Sequence, residues 1–189
     1  MNIQNEEELI RIIEEDEWMI SLLRAAKVLN LPDWWICAGF VRSKIWDVLH
    51  GFEERTPLTD IDVIYFDPTN IKEDEEKKLE EHLRNLVPSI PWSVKNQARM
   101  HVINGFPPYT SATEGIANFP ETATALGLKL DDQDKVILTA PHGITDVVHL
   151  QVKPTPHFLT TEELNAVYKG RVQKKDWKKT WSKLEIFHS

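Results

Sequence analysis

A single cysteine, Cys37, occurs in 189 residues, which excludes an internal disulfide and suits a reducing compartment such as the cytoplasm. It lies in an apolar strand-like run, the setting of a buried, inert thiol. No apolar stretch approaches the ~20 residues that a membrane-spanning helix needs, and the N-terminus carries nothing that resembles a signal peptide. Basic charge is scarce: 22 Lys and Arg stand against 30 Asp and Glu, for a formal net charge of −8. No extended nucleic-acid surface is expected from that balance, since such surfaces carry a basic excess. There is no internal repeat, no low-complexity linker and no zinc-type Cys/His spacing.

What remains is an ordinary globular composition, with 41% hydrophobic and 28% charged residues. The length fits one domain over 1–189. Its core is expected at about 31–155, with helical flanks at 5–29 and 160–181. Seven tryptophans suggest core or cleft walls.

The organising stretch is WWICAGFVRSKIWDVLHGFEERTPLTDIDVIYF, residues 34–66. It reads as strand, turn, helix, loop, strand. Side chains two apart on a strand share a face, so Asp60 and Asp62 project together while Ile61 and Val63 face the other way. Two adjacent carboxylates call for a cation, and Mg²⁺ (or Mn²⁺), which takes one or two carboxylates plus phosphate oxygens and water, suits them. The turn at Gly39 and Phe40 opens a helix whose first N–H groups and dipole favour a phosphate. Gly39 lets that phosphate approach closely, and Arg42 adds a forked cation one turn on. A phosphate cradle beside a metal-holding Asp-x-Asp is apparatus for phosphoryl or nucleotidyl transfer.

Gly39-Phe40-Val41-Arg42, Leu49-His50-Gly51 and Asp60-Ile61-Asp62 resemble the head of CCA-adding enzymes and poly(A) polymerases, in the DNA polymerase β-like nucleotidyltransferase superfamily. With WSVKNQARMH, PETATALG and KKDWKKTW, the chain resembles more closely a family of small bacterial nucleotidyltransferase-like proteins. The resemblance implies an α+β fold: a polymerase β-like core with a small mixed sheet flanked by helices, and added C-terminal strands and helix. It implies NTP as substrate and Asp60 and Asp62 as catalytic metal ligands. The chain departs from the pattern at three points. Phe40 stands where a second small residue is usual, Ser43 replaces an acid, and the helix from Arg42 to Gly51 is about one turn longer. The pattern also calls for a third carboxylate on a later strand. Ser93 occupies a position where relatives carry an acid, and Asp146, embedded in HGITDVVHL, is the reserve candidate, with a cap or turn as its alternative role.

Elsewhere the elements follow local signals. Asn5 with Glu8 caps a first helix, and a second begins near Asp16 with Met19, Leu22, Leu23 and Ala26 on its apolar side. Residues 71–86 form a charged helix laced by i,i+4 pairs such as Glu80 with Arg84, read as a solvated face. Strands are expected near 33–38, 60–66 and 92–99. The last would carry Lys95 and Arg99 on one polar face, either in the cleft holding triphosphate oxygens or facing solvent. Ser111 with Glu114 caps a short helix. Thr122–Leu130 and Lys135–Thr139 read as a hairpin, Leu150–Lys153 as a last strand, and Thr160 or Thr161 as the cap of a C-terminal helix. Lys169, Arg171, Lys174, Lys175, Lys178, Lys179 and Lys183 form the basic region, balancing an acidic body or contacting a substrate backbone.

Three functions compete at this point. The first is a magnesium-dependent nucleotidyltransferase that moves an NMP from an NTP to a hydroxyl of an unknown acceptor (small molecule, RNA end or protein) and releases pyrophosphate. The second is a catalytically weak or inactive nucleotide-binding protein. The third is a toxin–antitoxin-type interaction protein on the same fold.

Overall fold

The computed structural model describes residues 2–188. Two capped helices open the chain: α1 (Glu6–Glu14), whose Asn5 cap accepts from the Glu8 N–H, and α2 (Glu17–Val28), whose Asp16 cap accepts from Met19. Then follow β1 (Trp35–Cys37), α3 (Gly39–His50), β2 (Ile61–Tyr65), α4 (Glu73–Leu86), β3 (Trp92–Asn96), α5 (Gln97–Asn104) and α6 (Ala112–Ala117). The rest comprises β4 (Gly127–Leu130), β5 (Val136–Thr139), α7 (Thr145–Val148), β6 (Gln151–Val152), α8 (Glu162–Lys175) and β7 (Glu185–Ile186).

The main sheet has the order β3-β2-β1-β4-β5. It is mixed: β2 and β3 run parallel, and the other neighbours antiparallel. Alternation along the strands splits its two faces. Ile36, Val63, Val94 and Leu128 enter the large core with α1 to α4, whereas Trp35, Cys37 and Ile64 join a smaller cluster under α6. Asp62 lies between the residues of that second face, so the smaller layer is where the candidate site forms.

Three expectations need correction. The strand from Trp92 stops at Asn96, whose side chain accepts from the Ala98 N–H and turns the chain into α5. The alternating polarity of the following residues is that of a short helix at the sheet's end. Of Thr122–Leu130 only Gly127–Leu130 is strand, and Thr122–Leu126 is held by turn bonds to Glu121 and Thr122. The strand at 150–153 shrinks to β6, which pairs with β7 in a separate two-stranded sheet.

The charged helix α4 is also less solvated than its pattern suggests. Glu80 accepts from the Val94 N–H and Glu76, 1% exposed, from the Asn96 N–H. These carboxylates satisfy the donors of the sheet's β3 edge, a use of charge that an i,i+4 pattern does not reveal. The Glu80–Arg84 pair forms as expected, at 3.2 Å. Trp177 and Trp181 dock edge-on against Trp46, at ring separations of 5.7 and 5.1 Å. Among the described residues no helix is long and apolar enough to cross a membrane.

Candidate active site

Asp60 ends an exposed loop and Asp62 is the second residue of β2, half-buried on the smaller face of the sheet. The loop that delivers them is fastened from both sides. Buried Asp47 of α3 accepts from the Thr56 N–H and hydroxyl at 2.9 and 2.6 Å, and from Trp181 Nε1 at 2.8 Å. Arg55 forks onto Asp16 at 2.8 and 2.6 Å. Among the described residues neither the Asp60 nor the Asp62 carboxylate accepts a hydrogen bond, although the Asp62 carbonyl accepts from Cys37 Sγ at 3.6 Å. Burial, and next the charge of Asp60, pushes the Asp62 carboxyl up to about 6. Arg171, Arg42 and Lys175 pull the other way without cancelling that shift, and none of them is in ion-pair contact with Asp62.

At the strand-to-helix turn the strain falls on Ala38 and not on the glycine. Ala38 has φ 60° and ψ −125°, a sparsely populated conformation for a residue with a Cβ. Val41 and Arg42 donate back to the Ala38 carbonyl, leaving the N–H groups of Gly39 and Phe40 at the free end of α3. A Cβ on Gly39 would meet Arg42 Nη2 at 3.4 Å, an ordinary contact, so packing within the protein does not require glycine there. The Phe40 ring is fully buried, 6.1 Å from that of Trp18. Only its backbone is available to a ligand.

Arg42 is the unusual residue of the turn. It is 7% exposed, its guanidinium lies 5.0 Å from the Trp46 ring and 4.5 Å from that of Trp177, and Nη1 donates to Thr124 at 2.9 Å. Its Nε has no partner, and no carboxylate lies within ion-pair distance among the described residues. Burial lowers its pKa to about 10, so it still carries charge at neutral pH.

A cavity of about 500 Å³ opens at Asp62, lined also by Lys95, Thr124, Arg171 and several aromatic residues. Arg171 and Glu121 escape a sequence-level reading of the site. Arg171 projects from α8 beside Leu164 and Val167, at helical spacing on one face, and its Nε donates to Glu121 Oε1 at 2.6 Å. Glu121 is fully buried and its second oxygen has no partner. Arg171 acts electrostatically on both Arg42 and Asp62, so acids and cations alternate around the cleft floor. The only local hints were PETATALG and the basic run of α8, and neither says that two segments fifty residues apart meet.

The other predicted residues divide. Lys95 lines the cavity, though it also stands 3.8 Å from Glu76. Arg99, carried round by α5, turns to α4 and binds Glu76 at 3.2 and 2.6 Å. Ser93 is in register with Asp62 on the neighbouring strand. Asp146 accepts from Thr122 at 2.7 Å and pairs with Lys153 at 2.8 Å, and it does not line the cavity.

Among the described residues no three His, Cys, Asp or Glu converge as a metal cage. The residues present still fit a hard divalent cation. Two carboxylates sharing one face, free of internal partners and repelling each other, suit an ion that completes its shell with water and substrate oxygens.

Comparison with known proteins bears on family and fold. Residues 24–186 match the family model described as nucleotidyltransferase. The fold is similar to an NMR structure reported to reveal a CCA-adding enzyme head domain, with TM-score 0.88 and 36% identity over 99% of this chain and 98% of that one. It is also similar to a CCA-adding enzyme in complex with CTP (TM-score 0.58, 14% identity, 99% of this chain and 44% of that one). The Thermotoga maritima CCA-adding enzyme complexed with tRNA gives TM-score 0.57 and 15% identity over 99% of this chain and 43% of that one. The chain therefore spans less than half the length of those two enzymes. Curated proteins give no match.

Proposed function

The chain belongs to the nucleotidyltransferase family whose model it matches over residues 24–186, and from that premise we propose that it is a magnesium- or manganese-dependent nucleotidyltransferase working in the cytoplasm as a single domain. It moves an NMP from an NTP to a hydroxyl of an acceptor and releases pyrophosphate.

The observation that carries this reading is the unpaired, buried Arg42 cation at the start of α3, beside the two unpaired carboxylates Asp60 and Asp62. Glu121, Asp62 and Asp60 act on this cation only at longer range; a buried cation with no carboxylate in contact is costly, and a triphosphate would supply a contacting anion. The free N–H groups of Gly39 and Phe40 add donors to the same anion, and Lys95 and Arg171 offer cations from the cleft wall. Asp60 and Asp62 are the residues that would hold the divalent ion. When bound, such an ion neutralises phosphate charge and favours in-line displacement at the α-phosphate. Asp47 and Asp16 keep the loop that carries Asp60 in place, so the chain supplies positioning as well as charge.

Calorimetry with each NTP and Mg²⁺, together with a pyrophosphate-release assay, tests this reading. Asp62→Asn should cut transfer by ~10³-fold or more, about 4 kcal/mol of transition-state stabilisation. Unchanged metal-dependent binding and turnover in that variant would sink the assignment.

A nucleotide-holding protein with slow or absent catalysis is the second reading. It is favoured by Ser93, which puts a hydroxyl in register with Asp62 where relatives carry an acid. Metal-dependent NTP binding without release of pyrophosphate from the NTP, whichever hydroxyl acceptor is added, would select it.

A further inference from the structure

Gln97 is 4% exposed and faces the cleft cavity. Its amide makes no side-chain hydrogen bond among the described residues, in contrast to its neighbour Asn96, whose amide serves four partners. The side chain is enclosed by the fold while its amide opens onto the cavity, free to pair with whatever enters it. Gln97 is also fixed in place. A Cβ on Gly115 of α6 would lie 2.4 Å from its Oε1 and 3.0 Å from its Cδ and Cγ, so α6 packs flush against the amide. Gly115 has an ordinary helical backbone, so glycine is needed there for space and not for conformation.

The surroundings define what this amide meets. Gln97, Met100 and Asn104 share one face of α5 and line the cavity with Tyr109, Phe119 and Phe158. Asp62 and Arg171 stand in the same cavity. The lining therefore combines charged groups suited to phosphate and metal with aromatic side chains and amides. A planar ring with a donor and an acceptor side by side on its edge suits the aromatic and amide groups. Its faces stack on the aromatic walls and its edge pairs with an amide, which offers one acceptor and two donors.

Resting on the nucleotidyltransferase reading above, we propose that Gln97, held by Gly115, reads the edge of the nucleobase of the incoming NTP and sets which base is preferred. The amide orientation that α6 imposes pairs with one donor–acceptor order and leaves mismatched groups facing the other. Discrimination of this kind comes from buried polar groups left unpaired by the wrong ligand.

The test is calorimetric titration of the full chain, in Mg²⁺, with ATP, GTP, CTP, UTP and ribose 5-triphosphate, which has no base. Wild type should spread the four NTPs over ~tenfold or more and bind the base-free triphosphate more weakly than its best NTP. Gln97→Met, similar in length but apolar, should compress the spread to within ~threefold and leave ribose 5-triphosphate binding unchanged. Gly115→Ala keeps the amide but displaces it, and should compress the spread likewise; it decides the matter if Gln97→Met does not fold. An unaltered base ranking in a folded variant, or equal wild-type binding of all four bases, overturns the proposal while the nucleotidyltransferase reading stands. Failure of wild type to bind any NTP with Mg²⁺ or Mn²⁺ overturns both.

Discussion

Two arginines, Arg42 at the start of α3 and Arg99 in α5, are each largely sequestered from water but have opposite surroundings. Arg99 forks onto buried Glu76, and that bond raises its pKa above the ordinary guanidinium value. Arg42 has two indole faces, one hydroxyl and no carboxylate, and burial lowers its pKa to about 10. The first charge is neutralised by the fold and ties α5 to α4. The second is left for something that the fold does not contain. A buried charge with its counter-charge in place is architecture, whereas one without it is a request for a ligand.

The comparison is broken most severely at Glu76. Glu76→Ala removes the acceptor of the Asn96 N–H and strands Arg99, so it should destabilise the protein by about 3–5 kcal/mol in urea unfolding. It should leave metal-dependent triphosphate affinity per folded molecule near wild type. Arg42→Met comes next. Unfolding stability should hold or rise, because an uncompensated buried cation is exchanged for an apolar side chain. Triphosphate affinity should fall ~10–100-fold, about 1.5–3 kcal/mol of charge-assisted hydrogen bonding, in the same titration. If Arg42→Met unfolded the protein as readily as Glu76→Ala while sparing affinity, the contrast would collapse.

The smallest effect is on pH. Asp62 titrates at about 6 in the fold against 3.8 in a free chain, so the fold favours its neutral form. Without metal, the stability contribution is fully present below pH 3.8 and disappears as pH rises through 6. Urea midpoints of wild type and Asp62→Asn should converge at low pH and separate above 6, with the variant the more stable. Bound Mg²⁺ with NTP should erase that difference, because the ion favours the carboxylate.

Much of the frame is visible in local chemistry. Asn5, Asp16, Ser111 and Thr161 each cap the helix that follows, because a side-chain oxygen within three residues of an N–H needs no tertiary help. The hairpin of β4 and β5 turns across 131–134 where the polar cluster lies. Readings failed where a local pattern has two solutions. Asn96 fits a strand or a cap; bonds to Asp67 and Asn70 anchor its amide so that Oδ1 accepts from the Ala98 N–H, which makes it a cap. Glu76 looks like one more solvated acid until β3 presents an unpaired N–H to it.

The sequence by itself determined that β2 carries Asp62 with Asp60 two positions before it, that a helix opens behind Gly39 with free N–H groups, and that Arg42 sits one turn in. These follow from strand alternation and helix periodicity, which act over a few residues. Only the tertiary structure decided that Arg42 lacks a contacting carboxylate while Arg99 has one, that Asp146 is occupied by Lys153, and that Arg171 and Glu121 meet at the cleft. Those outcomes depend on which distant segments pack together. Whether a buried charge is satisfied is set by its neighbours in space, and the chain order does not record them.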